Sequence, residues 1–387
     1  MEFRFSEEQE KLRQEIRQFC ETGTFGEPAD PKIDPSFSPD CCRKVAEKNW
    51  IGLALPQEYG GLGLDPITVR MAQSEIFYHM IPVGMLPYVT VAVLGTFLLI
   101  YGTEKQRREY LPRVARGELL CCYSFTEPDA GADLSLIKTR AVPDGEDYII
   151  EGQKVFSTAI GFAQYILVMA RTGPEAMDLT IFLVDKKTPG ISITRIPTMA
   201  SYEAEEVVYD GVRVPGKNII GKLNRGLYQF MEIKRDYYWE KRPGEIQGRM
   251  RKILELLVQY ARETEYNGQP LSKDPLIRQK LAQMAMEIEV IDLIGYRFSW
   301  LQVKGLDTTR QSSVSKLAWN ELYVKIGHLG MQILGNYGTL RTGSKYAPLK
   351  GMIESIYGGS QLYHFIMDGV AIQRNFLAET LDLPVYV

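Results

Sequence analysis

Residues 124–133 read SFTEPDAGAD and follow directly on the apolar run 119–125, LLCCYSF. A strand-like run that meets Pro128 has to break there, because proline brings no N–H to a neighbouring strand. Beyond the proline, Ala130, Gly131 and Ala132 carry little side chain, so the backbone after the turn is open to close approach. The stretch therefore closes a strand and opens something else, and its neighbours on both sides decide the fold.

Downstream, short β-branched and aromatic runs are punctuated by Gly, Pro and Asp: YIIEGQKVFST (148–158), QYILVMARTG (164–173), DLTIFLVDKK (178–187), ISITRIP (191–197) and EEVVYDGVRVP (205–215). With Asp210-Gly211 as a turn signal, they predict a small antiparallel β-domain over 119–221. Upstream, the period is helical. FSEEQEKLRQEIRQF (5–19) opens on Ser6 with Gln9 three residues on, a capping-box pattern. PDCCRKVAEKNWIGLALP (39–56) reads as a helix and turn, YGGLGLDP (59–66) as a loop, and GTEKQRREYLPRVARGE (102–118) as a surface helix stopping at Gly117. The most apolar segment, IPVGMLPYVTVAVLGTFLLI (81–100), is broken by Pro and Gly and reads as a buried helix pair, not a membrane span. After residue 221 long amphipathic stretches return at 248–266, 276–305 and 312–335, enough for a helical bundle. The predicted class is α+β: an N-terminal helical domain (1–118), a middle antiparallel β-domain (119–221) and a C-terminal helical bundle domain (222–387).

Composition narrows the function. Of 387 residues 45% are hydrophobic and 24% charged, an ordinary globular balance, and a net charge of −3 draws the chain to neither nucleic acid nor anionic membrane. The charged N-terminus excludes a secretory signal peptide. Five cysteines without Cys-x-x-Cys spacing point to reduced thiols and a cytoplasmic location. The three histidines, His79, His328 and His364, have no neighbours at metal-ligand spacing. No nucleophile elbow is present.

In an α–β–α order, SFTEPDAGAD closely resembles the first signature of the FAD-dependent acyl-CoA dehydrogenase family, and the resemblance covers nearly the whole chain. YGGLGLDP is similar to that family's N-terminal loop, GQKVFSTA (152–159) to its second flavin-side strand, DGVRVPGKNIIG (210–221) to the exit from its β-domain, and GMQILGNYG (330–338) to its C-terminal cofactor motif. The resemblance implies FAD as cofactor. Thr126 would hydrogen-bond near the flavin's reactive nitrogen, with Tyr123 and Phe125 lining the same strand. Gly131 and Ala132 would let backbone N–H groups reach a pyrophosphate. Phe156 would pack on the flavin face and Thr158 would donate to its edge, while Gln332 and Gly335 would meet the adenine end across a subunit boundary.

The implied reaction takes the α-proton of an acyl-CoA while the β-hydrogen leaves as hydride, giving the 2,3-enoyl-CoA, and it needs a carboxylate at the α-carbon. Aligned through IQRN (372–375), Met367 stands where many members carry that glutamate, followed by Asp368 and Gly369. A subgroup carries the base on the first helix after the β-domain, and Trp239-Glu240-Lys241 is the best match to its pattern of aromatic, glutamate, arginine. Lys234-Arg235 is the competing register and would leave no base. Glu240 is thus the expected base and Asp368 the fallback, although Glu240 reads equally well as a solvated helix carboxylate. Thr264 and Asn267 stand where many members carry an arginine and a phenylalanine, the arginine of which grips the flavin pyrophosphate from the neighbouring subunit. These departures point to a branched, cyclic or aromatic acyl group. They also keep open a non-catalytic or half-site subunit of a hetero-oligomer, and a member with different acyl-CoA chemistry. Expected partners are an acyl-CoA substrate, an electron-transfer flavoprotein or similar acceptor, and either further copies (homo-dimer or homo-tetramer) or a related subunit in a hetero-tetramer.

Overall fold

The chain's structure, a computed structural model, describes residues 4–29, 36–199, 204–236, 245–364 and 369–385. Helix α1 (Glu7–Thr22) begins as its sequence demands: the Ser6 hydroxyl accepts from the Gln9 N–H, and the Gln9 side chain accepts from the Ser6 N–H. Ser38 caps α2 (Pro39–Glu47) and Asp65 caps α3 (Pro66–Tyr78). The apolar segment is a single run rather than a helix pair: α4 (Leu86–Thr90) passes through a π-helical turn, Val91–Gly95, into α5 (Thr96–Tyr101). Pro82 and Gly84 precede the run, and Pro87 sits in its first turn, where a missing N–H breaks no helical bond. A second capping box, Thr103 with Gln106, starts α6 (Glu104–Ala115), and Gly117 follows it at a positive φ of 63°.

Seven strands then form one sheet: β1 (Cys121–Ser124), β2 (Arg140–Asp144), β3 (Asp147–Ser157), β4 (Tyr165–Arg171), β5 (Leu179–Asp185), β6 (Ile191–Ile196) and β7 (Ala204–Pro215). Their order is β1-β4-β2-β3-β7-β6, with β5 pairing β4. The sheet is mixed, not purely antiparallel, because β1 runs parallel to β4 and β2 meets β4 in parallel at one pair. A parallel pair needs a long crossover, and the β2–β3 hairpin between β1 and β4 supplies it. Asp210-Gly211 does not turn the chain. Strand β7 continues through it with an extra residue between the pairs Ile150–Val212 and Gly152–Tyr209, and Gly211 takes φ 62° in that bulge.

Helices α7 (Gly226–Asp236), α8 (Glu245–Glu263), α9 (Pro275–Val303), α10 (Thr309–Leu334), α11 (Met352–Ser360) and α12 (Val370–Glu379) complete the fold. Most of the buried apolar residues described fall into two cores. One runs without a break from Ile16 through the sheet to Ile233, and the other joins Met250, Ile253 and Leu257 to Met284, Ile288, Trp319 and Ile326. A buried ion pair joins the two halves: Arg70 on α3 meets Asp292 on α9 at 3.2 Å, and Arg251 on α8 reaches the other oxygen of Asp292 at 2.6 Å. Gly295 makes room for it, since a Cβ there would lie 1.9 Å from the Arg70 guanidinium. Along α9, Met286, Val290 and Leu293 are 57, 54 and 47% exposed, an apolar stripe at helical spacing. Among the described residues no helix is long and apolar enough to cross a membrane.

Candidate active site at the signature turn

The turn after β1 is tight. The Glu127 N–H donates to the Ala130 carbonyl at 2.9 Å and the Ala130 N–H donates back at 3.1 Å, which leaves Pro128 and Asp129 at the tip. The Glu127 carboxylate folds inward and accepts from the N–H groups of Lys138 (2.6 Å) and Thr139 (2.9 Å) and from Lys154 Nζ (2.9 Å). Lys154 is fully buried and also donates to the Phe125 carbonyl at 3.0 Å. Burial drives the Lys154 ammonium down to about 8, although Glu127 pulls the other way. Burial on its own would raise the Glu127 carboxyl, but the Lys154 charge and the donors around it hold it below its ordinary value.

One residue along, the Val155 N–H donates to the Thr126 carbonyl at 2.9 Å, and the Ser124 and Ser157 hydroxyls lie 2.8 Å apart. Between these ties β3 bulges. Three steps from Lys154 to Ser157 face two steps from Val207 to Glu205, and the extra residue falls at 155–156. Phe156 takes φ 57°, a left-handed conformation uncommon for a bulky residue. Its ring is thrown outward, 62% exposed. Thr158 follows on the same edge, and the loop beyond it is held by Glu205, which accepts from the N–H groups of Ile160 (2.7 Å) and Gly161 (3.1 Å). Burial raises the Glu205 carboxyl, and those two donors partly offset it.

Several expected contact residues therefore gather on one edge. Thr126, Phe156 and Thr158 border it, with Phe125 buried and Tyr123 half-buried behind it, their rings 5.6 Å apart. Phe230 on α7 packs edge-on against Phe125 at 4.9 Å and stacks on Phe97 at 6.3 Å, so α5 and α7 back the site with aromatic surface. Gly131 and Ala132 are exposed, and a Cβ at Gly131 would meet only the Thr126 methyl, at 3.9 Å. Gln332 and Gly335 lie on a separate element, at the C-terminal end of α10, where Gln332 accepts from Lys280 at 2.7 Å and Gly335 takes φ 56°. Glu240 and Asp368 lie outside the described residues, as do Trp239, Lys241 and Met367.

A flavin fits this edge on three counts. The Thr126 and Thr158 hydroxyls have no hydrogen-bond partner among the described residues, an aromatic face is held out in a strained conformation beside them, and the space at Gly131 is open. Sequence reading singled out the residues at the edge but not Glu127, Lys154, Ser124, Ser157 and Glu205, which fix them. The available signal was the charged Lys154 at an inward position of an alternating strand, opposite Val207.

Compared with known proteins, residues 6–118, 122–212 and 244–381 match the N-terminal, middle and C-terminal domains of acyl-CoA dehydrogenase. Cyclohexane-1-carbonyl-CoA dehydrogenase of Geobacter metallireducens is 30% identical over 75% of this chain and 77% of its own length. Two solved structures superpose along all of both chains at 27% identity: the Tcur3481-Tcur3483 steroid ACAD, with a TM-score of 0.87, and the ChsE4-ChsE5 complex from Mycobacterium tuberculosis, with a TM-score of 0.84.

Proposed function

The chain belongs to the acyl-CoA dehydrogenase family, whose members are FAD-dependent oxidoreductases acting on CH–CH bonds, and from that membership we propose that it oxidises the Cα–Cβ bond of a branched, cyclic or aromatic acyl-CoA to the 2,3-enoyl-CoA. The relatives named for a cyclohexane carboxylate and a steroid support a ring-bearing acyl group. Residues 1–118, 119–221 and 222–387 are its three units, and five free cysteines support a cytoplasmic location.

FAD bound at this edge would accept the β-hydrogen of the acyl-CoA as hydride. The Thr126 and Thr158 hydroxyls would donate to the polar edge of the ring, and Phe156 would cover it and exclude water. Gly131 and Ala132 would offer their N–H groups to the pyrophosphate. Tyr123 and Phe125 back the strand, and Gln332 with Gly335 serves the adenine end, in the neighbouring subunit. Glu240 takes the α-proton, with the aromatic Trp239 as its neighbour in sequence. Asp368 is the fallback base. An electron-transfer flavoprotein or similar acceptor reoxidises the enzyme.

One observation carries this reading: Phe156, an exposed aromatic in a left-handed bulge, next to two hydroxyls that have no partner among the described residues. The test is the visible spectrum of the purified protein and the FAD released from it by acid. Flavin absorption that bleaches with a suitable acyl-CoA is expected. A colourless preparation that takes up no added FAD, with or without a related subunit, overturns it.

A second reading is favoured by Met367 at the family's usual glutamate position and by Thr264 and Asn267. The chain would then be a non-catalytic or half-site subunit paired with a related one, a reading that the likeness to the ChsE4-ChsE5 complex supports. FAD counted per chain, in the protein alone and with candidate partners co-expressed, separates the two.

A further inference from the structure

We propose that Lys154 is the positioning residue of the cofactor edge, its buried ammonium tying the strand that carries Phe156 to the turn that carries Thr126. The proposal rests on the reading of Thr126, Phe156 and Thr158 as flavin contacts.

Lys154 lies on the inward side of β3, in register with the fully buried Val207. An apolar side chain would fill that space without taking a charge out of water, and replacing buried ion pairs by apolar residues is often neutral or stabilising. What the pair supplies is placement. The ammonium donates both to the Phe125 carbonyl, one residue before Thr126, and to the Glu127 carboxylate, one residue after it. Glu127 in turn holds the N–H groups of Lys138 and Thr139, at the entrance to β2. Three segments thus converge on one charge two residues before Phe156. A strand that slips by one residue turns every side chain to the opposite face. At a bulge the register is weakest, and a slip there would bury Phe156 and withdraw Thr158 from the edge. The Lys154 ammonium finds its two oxygens in only one register, so it locks the bulge where the ring faces outward.

The test uses the full-length protein, with any partner that co-purifies, as wild type, Lys154→Met and Lys154→Met combined with Glu127→Gln. FAD affinity is measured by quenching of flavin fluorescence. Visible-region circular dichroism of the bound flavin reports the ring's surroundings and does not follow global stability. Both variants, folded by far-ultraviolet circular dichroism, should bind FAD at least tenfold more weakly and change the visible dichroism. A folded variant that binds within twofold of wild type with an unchanged visible band overturns the role of Lys154. Should Lys154→Met fail to fold because Glu127 is left unpaired, the double variant decides. If neither folds, the pair is a determinant of the fold and the proposal falls. Wild-type protein that takes up no FAD overturns the flavin reading and this proposal with it, whereas wild type and variants that bind alike overturn the proposal only.

Discussion

A single residue, Phe156, shows how the site differs from its scaffold. Bulky residues at positive φ are uncommon, so the bulge marks a place where the ties on either side of the ring, and not the packing of the ring itself, hold the conformation. At the same scale, Glu240→Gln should retain FAD and acyl-CoA binding but slow flavin reduction by orders of magnitude in stopped-flow absorbance, while Asp368→Asn does less. Wild-type reduction in Glu240→Gln would exclude that residue as the base. The thiols give a simpler expectation. All five cysteines are buried, and burial pushes Cys20, Cys41 and Cys42 up to about 12, with Cys121 and Cys122 also raised. At pH 8 the native protein should therefore yield fewer than one reactive thiol per chain with a chromogenic disulfide reagent, and all five in denaturant.

At the scale of elements, helices were legible because their signals are local. The capping box at Ser6 and the stop at Gly117 were both readable and both do what their chemistry implies, while the second box, at Thr103, went unread. The parallel pairing of β1 with β4, the π-helical turn at 91–95 and the bulge at Gly211 were not readable, because periodicity fixes which face of a strand is buried but not which strand lies beside it. The candidate site divides the same way. Thr126, Phe156 and Thr158 stand out through motifs, whereas the partnership of Glu127 with Lys154 joins residues 27 apart and exists only once the strands are assembled. Helix packing makes a prediction of its own. A Cβ at Gly248 on α8 would lie 2.0 Å from the Ser74 carbonyl oxygen and 2.8 Å from the Tyr78 nitrogen on α3. Alanine has the better helix propensity by about 1 kcal/mol, but a backbone clash of this kind costs about 1–3 kcal/mol. Gly248→Ala should therefore lower the midpoint of thermal unfolding, and an unchanged or raised midpoint would show that α3 and α8 can separate at no cost.

For the whole molecule, the stripe of Met286, Val290 and Leu293 exposes more apolar surface on one helix than a solitary bundle needs. Wild-type protein is expected to be a dimer or tetramer by light scattering at micromolar concentration, alone or with a related subunit. Leu293→Glu should shift it toward smaller species. A monomeric wild type would count against the assembly.

The division of the interior into two cores also has a consequence in time. Residues 16–233 close one hydrophobic interior and residues 250–356 another, and the chain leaves the ribosome in that order. The first body can thus bury its own apolar surface, sheet included, before the second has been synthesised. Arg70 and Asp292, 222 residues apart, can meet only after both have formed. That contact belongs to the last step of folding, so its loss should quicken unfolding more than it slows refolding.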